Sequence, residues 1–181
     1  MPHQPRDTAA GRFHVFTHCV WAATALFRDE IDRLNFLRHL GRVSAKARWK
    51  CIAFCLMTTH YHLIVDVDDD VLPIAMHALN LGYARDFNRR HALRGHVQFR
   101  RYGSKRIKTG IQLLDTFAYV VRNPVEAKLC ATPGEWPWSS YPGTIGLCKA
   151  HSFVDSDPIL EHFAWPDVDP RAALRRRVEE M

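Results

Sequence analysis

Two histidines stand one residue apart at positions 60 and 62, in a run of mostly apolar residues. Side chains alternate between the two faces of a β-strand, so in a strand His60 and His62 point the same way and Tyr61 points the opposite way. Two imidazoles on one strand face are a ready pair of ligands for a divalent metal. Because the chain has eleven His, a chance His-x-His pair is the alternative interpretation.

A tyrosine and an asparagine form a second candidate pair. Tyr119 and Asn123 are four residues apart and share a face if their segment is helical. An asparagine carbonyl is a hard oxygen ligand that suits Mg²⁺ or Mn²⁺, so His60, His62 and Asn123 predict a metal site with the Tyr119 hydroxyl beside it. Tyrosine is a weak nucleophile towards phosphate esters unless a metal polarises the ester. The alternative for Tyr119 is a partly buried core aromatic with a hydrogen-bonded hydroxyl.

The cysteines indicate no metal or disulfide framework. Cys51 and Cys55 lie near the two histidines, but a spacing of four on a strand does not suit tetrahedral zinc. We therefore predict that both are small core residues. Five cysteines at irregular spacing indicate reduced thiols, as expected for a cytoplasmic protein.

The positive charge is concentrated in one segment. The formal net charge of the 181 residues is +6, yet residues 85–108 carry +8 and the remainder is net negative. Basic residues interleaved with aromatics are typical of surfaces that hold phosphates and stack bases. A solvated basic helix followed by a basic loop is the alternative, and Phe87 and Phe99 are predicted to be core. The residues predicted to bind DNA are Arg85, Arg89, Arg90, Arg94, Arg100, Arg101, Tyr102, Lys105, Arg106 and Lys108.

The strands and helices that must position these residues are mixed along the chain. Strands are predicted over 13–21, 49–57 and 61–67, and helices over 27–47, 71–91 and 111–122. The second and third strands form a hairpin or one bent strand, a loop and short strand follow over 95–103, and Pro124 is predicted to break or restart the last helix. Strands and helices mix without strict βαβα alternation, which predicts an α+β fold with a mainly antiparallel sheet.

Composition sets the broad class. With 47% hydrophobic and 24% charged residues, the chain is predicted to fold as one domain, with or without an appendage. No run approaches the roughly 18 apolar residues of a membrane helix, so no membrane partner is predicted. Residues 1–11 are polar, lack the apolar core of a signal peptide, and are predicted to be a flexible N-terminus.

Several stretches, in order along the chain, resemble the REP-associated tyrosine transposases, which are single-tyrosine relatives of the HUH transposases. The most specific are AFCLMTTHYHL at 53–63, AYVVRNPVEA at 118–127 and WPWSSY at 136–141. Shorter similarities occur at 27–37, 87–91, 95–97, 101–102, 153–155 and Leu160. The resemblance spans roughly residues 13–163.

The resemblance implies a DNA transposase, or single-stranded DNA endonuclease and strand-transferase. His60 and His62 would hold Mg²⁺ or Mn²⁺, with Asn123 as a third ligand. Tyr119 would attack a DNA phosphate, form a 5′-phosphotyrosine link and free a 3′-OH. The implied fold is an antiparallel sheet of RRM-like or ferredoxin-like topology flanked by helices, over residues 12–150. The implied partner is single-stranded or hairpin DNA, bound by a monomer or homodimer that associates with the bacterial nucleoid.

The sequence departs from the family's pattern at one place, and two alternative functions remain. The family's Pro-Asn before the first histidine is Thr58-Thr59 here, and since proline fixes φ, the turn that aims His60 is expected to differ. A non-catalytic module that binds hairpin nucleic acid is the main alternative, and a metal-dependent phosphoesterase that uses water is the other. Residues 151–181 are treated as a C-terminal appendage, whose acidic character predicts that it restrains activity by covering the basic surface.

Overall fold

A computed structural model of the protein describes residues 9–18, 25–47, 49–93 and 102–180. Its single sheet contains β1 (Gly11–His18), β2 (Trp49–Leu56), β3 (His60–Val67) and β4 (Gly103–Ile107). All pairings are antiparallel and the strand order is β2-β3-β1-β4. Helix α1 (Glu30–Lys46) joins β1 to β2, and α2 (Val71–Arg90) lies between β3 and β4. This is the ferredoxin-like βαββαβ arrangement, so the predicted α+β fold class is confirmed.

Local signals explain most boundaries. Helix α1 begins at Glu30 because the Asp29 side chain accepts a hydrogen bond from the Asp32 amide. Strands β2 and β3 form a hairpin, closed by the Met57 amide donating to the His60 carbonyl at 2.9 Å, and are not one bent strand. The predicted strand over 13–21 and the loop over 95–103 extend into segments outside the described residues, and β4 begins only at Gly103.

The two faces of the sheet carry separate apolar cores. On one face, called here the α1/α2 face, the helices α1 and α2 cover buried residues that include Phe13, Phe36, Tyr61, Leu63 and Tyr83. The other face is covered by α3 (Gly110–Glu126) and is called here the α3 face. Its core includes Ile52, Ile64, Phe117, Val121 and Leu174.

The end of α3 corrects one prediction. Pro124 neither breaks nor restarts the helix, which continues to Glu126. Proline removes a single backbone N–H and its hydrogen bond, and so close to the helix end that loss is tolerated. Helix α3 begins after Thr109, whose hydroxyl accepts a hydrogen bond from the Gln112 amide.

The C-terminal third winds over the α3 face in short elements. They are two 3₁₀ turns (Pro133–Glu135 and Glu161–Phe163), α4 (Tyr141–Thr144), α5 (Asp157–Leu160) and α6 (Pro170–Glu179). Ile159, Leu174 and Val178 are buried in the same core as α3, so a boundary at residue 150 does not separate two cores. Within the described residues, no helix is long and apolar enough to cross a membrane.

Candidate active site

The structure brings the histidine pair and the candidate tyrosine together. His60 and His62 lie on the α3 face of β3 with ring centroids 5.1 Å apart, while Tyr61 is buried on the α1/α2 face. Helix α3 places the Tyr119 ring 5.5 Å from the His62 ring. Tyr119 is 47% exposed and belongs to neither apolar core, unlike the partly buried core aromatic of the alternative interpretation.

These three side chains line a cavity of about 540 Å³ at the end of the α3 face. Among the described residues, others from β1, β4 and α3 also line it: His14, Phe16, Lys105, Asp115 and Thr116. The cavity therefore combines imidazoles, a phenol, a cation and a carboxylate. That combination suits binding of an anionic ester and acid–base or nucleophilic chemistry on it.

Strand register explains how β1 and β4 contribute. His14 is directly opposite Lys105 on β4, and Phe16 is opposite both His62 on β3 and Gly103 on β4. Directly opposed residues of antiparallel strands share a face. The side chains of His14, Phe16, His62 and Lys105 therefore all point towards the cavity. A Cβ at position 103 would lie 2.5 Å from the Phe16 ring, so a larger residue than Gly103 would displace this ring.

Both histidines of the pair are hydrogen-bonded through Nδ1. His60 Nδ1 lies 3.1 Å from Thr59 Oγ1, and His62 Nδ1 lies 2.9 Å from His14 Nε2. Burial, aided by the positive charge of Lys105, lowers the pKa of His14 to about 4. His14 is therefore neutral at pH 7 and can accept a proton in a hydrogen bond.

Asn123 takes a different place from the one expected. Its side-chain Nδ2 donates to the Tyr119 carbonyl oxygen at 2.9 Å, and Asn123 is not among the described residues that line the cavity. Asp115, one helical turn before Tyr119, lines it instead and pairs with Arg177 of α6 at 2.7 Å. In the described part of the chain, no three His, Cys, Asp or Glu side chains are grouped closely enough to hold a metal ion.

The basic residues of β4 divide between the two sides of the sheet. Lys105 lines the cavity and Lys108 is exposed beyond the strand. Arg106 points to the opposite side, where its guanidinium lies 4.7 Å from the Phe13 ring centroid and donates to the carbonyl oxygens of Ala9 and Ala10. Part of the predicted flexible N-terminus is thus held by hydrogen bonds.

The basic residues of α2 lie on the α1/α2 face, away from Tyr119. Arg85 is exposed, and Arg89 pairs with Asp86 at 2.8 Å. Arg90 pairs with Asp29 at 2.6 Å and with the buried Asp32.

The +8 segment therefore does not form one continuous surface within the described residues. Tyr102 is 8% exposed and belongs to the core of the α1/α2 face, which leaves its ring unavailable for stacking. Phe87 is buried as predicted. Arg94, Phe99, Arg100 and Arg101 lie outside the described residues.

The cysteine prediction is confirmed. Cys51 and Cys55 are fully buried, and they belong to the cores of opposite sheet faces because a bulge separates Cys51 from Ala53. They cannot share one metal ion. Burial raises the pKa of the Cys51 thiol to about 12, so it stays protonated.

Sequence reasoning missed His14, Phe16, Asp115 and Thr116 as cavity residues. The spacing of His14 and Phe16 carried a partial signal, because residues two apart in a strand share a face. Which face they share with His62 depends on strand pairing, and the sequence alone does not give the register. Asp115 lies one turn before Tyr119, so its helical spacing was a signal that could have been used.

Comparison with known proteins identifies a solved structure of similar fold. No family model matches the chain, and no curated protein matches it in sequence. Among solved structures, that of the REP-associated tyrosine transposase bound to a REP hairpin is similar, with 15% sequence identity and a TM-score of 0.68. The match covers 86% of this chain and 94% of that chain. This chain therefore has the fold of that REP-associated tyrosine transposase, as its sequence resemblance implied.

Proposed function

We propose that this protein cleaves and rejoins single-stranded DNA next to hairpins, with Tyr119 as the nucleophile. The main support is the position of Tyr119, whose half-exposed ring stands 5.5 Å from His62 at the wall of a shared cavity. The structural neighbour, a transposase of the same fold, is bound to a REP hairpin, which supports hairpin DNA as the substrate class.

The donor set of the cavity fits a divalent cation. His60 and His62 supply two imidazole nitrogens from one strand face. We propose the side-chain oxygen of Asn123 as a third ligand, which requires its side chain to turn from the Tyr119 carbonyl towards the cavity. Mg²⁺ and Mn²⁺ sites commonly use few protein ligands and complete their coordination with substrate phosphate oxygens, so two or three protein donors are sufficient. When bound, such an ion would polarise the scissile phosphate.

The chain's own residues account for the remaining steps. The Tyr119 oxygen attacks phosphorus as its hydroxyl proton passes to solvent. The bond between phosphorus and the 3′ oxygen breaks, and that oxygen takes up a proton to become a 3′-OH. The product is a 5′-phosphotyrosine at Tyr119. In the joining step a 3′-OH attacks this phosphorus and loses its proton to solvent, the bond between phosphorus and the Tyr119 oxygen breaks, and that oxygen takes up a proton. Lys105, in the wall of the cavity, is placed to bind the phosphate oxygens.

Two other functions are compatible with this fold, and they predict different results with DNA. A non-catalytic module would bind hairpin DNA without cleaving it, and a phosphoesterase would cleave with water. Neither explains why an exposed tyrosine lies beside the histidine pair. We further propose that the protein acts as a monomer or homodimer in the cytoplasm, and joins the nucleoid when bound to DNA.

Tyr119→Phe tests the proposal, because it removes one hydroxyl and leaves the ring. Wild type is expected to cleave labelled single-stranded hairpin DNA with Mn²⁺ and to form a covalent adduct on a denaturing gel, whereas Tyr119→Phe does neither. Tyr61→Phe, on the opposite face of β3, is the matched control and should retain both. Cleavage by Tyr119→Phe would favour the phosphoesterase, and binding without cleavage by the wild type would favour the binding module.

A further inference from the structure

His60 and His62, two of the cavity's histidines, are held in the same way. Each one uses Nδ1 for a hydrogen bond to a side chain that is not itself a proposed metal ligand. The partner of His60 is the hydroxyl of Thr59 at 3.1 Å, and the partner of His62 is Nε2 of His14 at 2.9 Å. The two contacts come from different elements, the β2–β3 turn and the strand β1, and are therefore independent observations.

His14 is fixed by its place in the sheet. It lies in β1, which is paired on both sides, and only 8% of its surface is exposed. Its ring meets the His62 ring edge to edge, with centroids 5.1 Å apart and ring planes inclined by 28°, as the 2.9 Å hydrogen bond between the two ring nitrogens requires. This nearly in-plane hydrogen bond restricts the orientation of the His62 ring.

Thr59 is fixed by the backbone of its turn. The Thr58 carbonyl oxygen accepts hydrogen bonds from the amides of Leu26 and Phe27, at 2.8 and 3.1 Å. These bonds tie the turn to the segment that precedes α1. The Thr59 hydroxyl therefore reaches His60 from an anchored position and not from a loose loop.

Hydrogen bonding at Nδ1 determines which ring nitrogen can bind a metal. A neutral imidazole that donates its Nδ1 proton carries its lone pair on Nε2, and if Nδ1 accepts instead, the proton sits on Nε2 and blocks coordination there. Thr59 Oγ1 and His14 Nε2 can both act as acceptors. Both contacts thus permit the one tautomer in which His60 and His62 offer Nε2 to the same ion.

We propose that Thr59 and His14 are positioning residues that accept the Nδ1 protons of His60 and His62 and so present both Nε2 atoms to one divalent cation. Partners of metal-binding histidines fix the tautomer and ring orientation in this manner, and their loss typically weakens metal binding 10- to 100-fold. The inference rests on the proposed function, because it takes His60 and His62 as the metal ligands.

The test measures Mn²⁺ binding by electron paramagnetic resonance on the full chain without DNA, so that it does not depend on catalysis. Thr59→Val and His14→Phe remove the acceptors and are expected to raise the Kd for Mn²⁺ about 10- to 100-fold. Thr59→Ser and His14→Gln keep an acceptor near the same place and are expected to stay close to wild type. Long-range ¹⁵N NMR of the histidine rings adds a second readout, since Thr59→Val should change the His60 tautomer population and leave that of His62 unchanged.

The outcomes separate this inference from the proposed function. If Mn²⁺ binding is lost in His60→Ala but unchanged in Thr59→Val and His14→Phe, the positioning roles are wrong while the metal site stands. If wild type binds no Mn²⁺, or if His60→Ala binds it equally well, the proposed metal site and this inference both fail. Thermal unfolding of each variant identifies any loss of fold. If His14→Phe does not fold, the Mn²⁺ affinity of Thr59→Val decides whether the inference holds, because Thr59 lies in a turn outside the core.

Discussion

On the α1/α2 face of the sheet the apolar layer is continuous, whereas on the α3 face it stops where β3 reaches His62. Residues of the first face, such as Phe13, Val15 and Leu63, are at most 1% exposed. On the second face Ile64 is equally buried, but two residues earlier in the same strand His62 lines a cavity. One strand therefore contributes to a sealed core on one side and to an open site on the other.

Charged groups follow the same division. Between α1 and α2, Asp86 of α2 accepts hydrogen bonds from Arg38, His39 and Arg89, so the charge of this carboxylate is compensated by side chains of the two helices. On the α3 face, Lys105 stands in the cavity wall near His14 and lowers the pKa of that ring. The comparison contrasts a closed apolar layer on the α1/α2 face with an open cavity at the end of the α3 face, where the proposed chemistry would take place.

The largest expected effect is on the α1/α2 core. Phe36 is fully buried, with ring centroids 5.4, 4.6 and 5.3 Å from those of Phe27, Tyr61 and Tyr83. Phe36→Ala should lower the free energy of unfolding by about 3–5 kcal/mol, as measured by urea denaturation. Tyr119→Phe on the α3 face should change it by less than about 0.5 kcal/mol. Equal losses would show that the two faces do not differ in this way.

A smaller loss is expected where the C-terminal segment meets the α3 face. Leu174 of α6 is 1% exposed and packs in the same core as α3, while Arg122 of α3 donates to the Val178 carbonyl at 2.7 Å. Leu174→Ala should cost about 2 kcal/mol or somewhat more, measured in the same way. A change near zero, like that expected of the exposed Leu147→Ala, would mean that residues 151–181 are an appendage after all.

The fold was predictable because its signals are local. Alternation along β3 and helical spacing in α1 to α3 indicate the elements in nearly the right places. The missed features depend on how elements meet. The burial of Val178 and Leu174, for example, follows from contacts between segments far apart in the chain.

The candidate site was predictable only in part, for the same reason. The pairs His60–His62 and Tyr119–Asn123 are visible as spacings within single elements, whereas the contact of His14 with His62 depends on the register of β1 against β3. The distribution of charge along the sequence was less informative about the site. Arg89 and Arg90 are close to Lys105 in sequence, but in the structure they lie on the opposite side of the sheet. In the sequence Thr59 is only a departure from the resembled family's pattern, and its hydrogen bond to His60 is visible only in three dimensions.

The third prediction uses DNA affinity to distinguish the lysine of the cavity from one elsewhere. Lys105→Ala should reduce the slope of log K against log salt for a single-stranded hairpin by about 0.7–1, because one phosphate contact is lost. Lys50→Ala is the matched control, since Lys50 is exposed on the outer strand β2 and pairs with Asp155 at 3.3 Å. If both substitutions reduce the slope alike, DNA binding is not centred on the cavity.

The smallest expected effect is the acid sensitivity of the charges on the α1/α2 face. Burial acts to raise the pKa of Asp86, but the hydrogen bond from His39 and the charges of Arg89 and Arg38 outweigh it and hold that pKa below its ordinary value. A carboxylate whose pKa is depressed in the folded state stabilises the fold above its unfolded pKa, about 3.9, and loses that contribution as the pH falls through the folded value. Asp86→Asn should therefore lower the free energy of unfolding by about 1 kcal/mol or less at pH 7, and the difference from wild type should shrink below pH 4.

Urea denaturation at pH 7, 5 and 3 measures this difference. Asp167→Asn is the control, at an exposed turn residue with φ of 61° that asparagine also tolerates, and it should show no such trend. A constant difference between Asp86→Asn and wild type across this range would mean that Asp86 stabilises α1 and α2 by its shape and not by its charge.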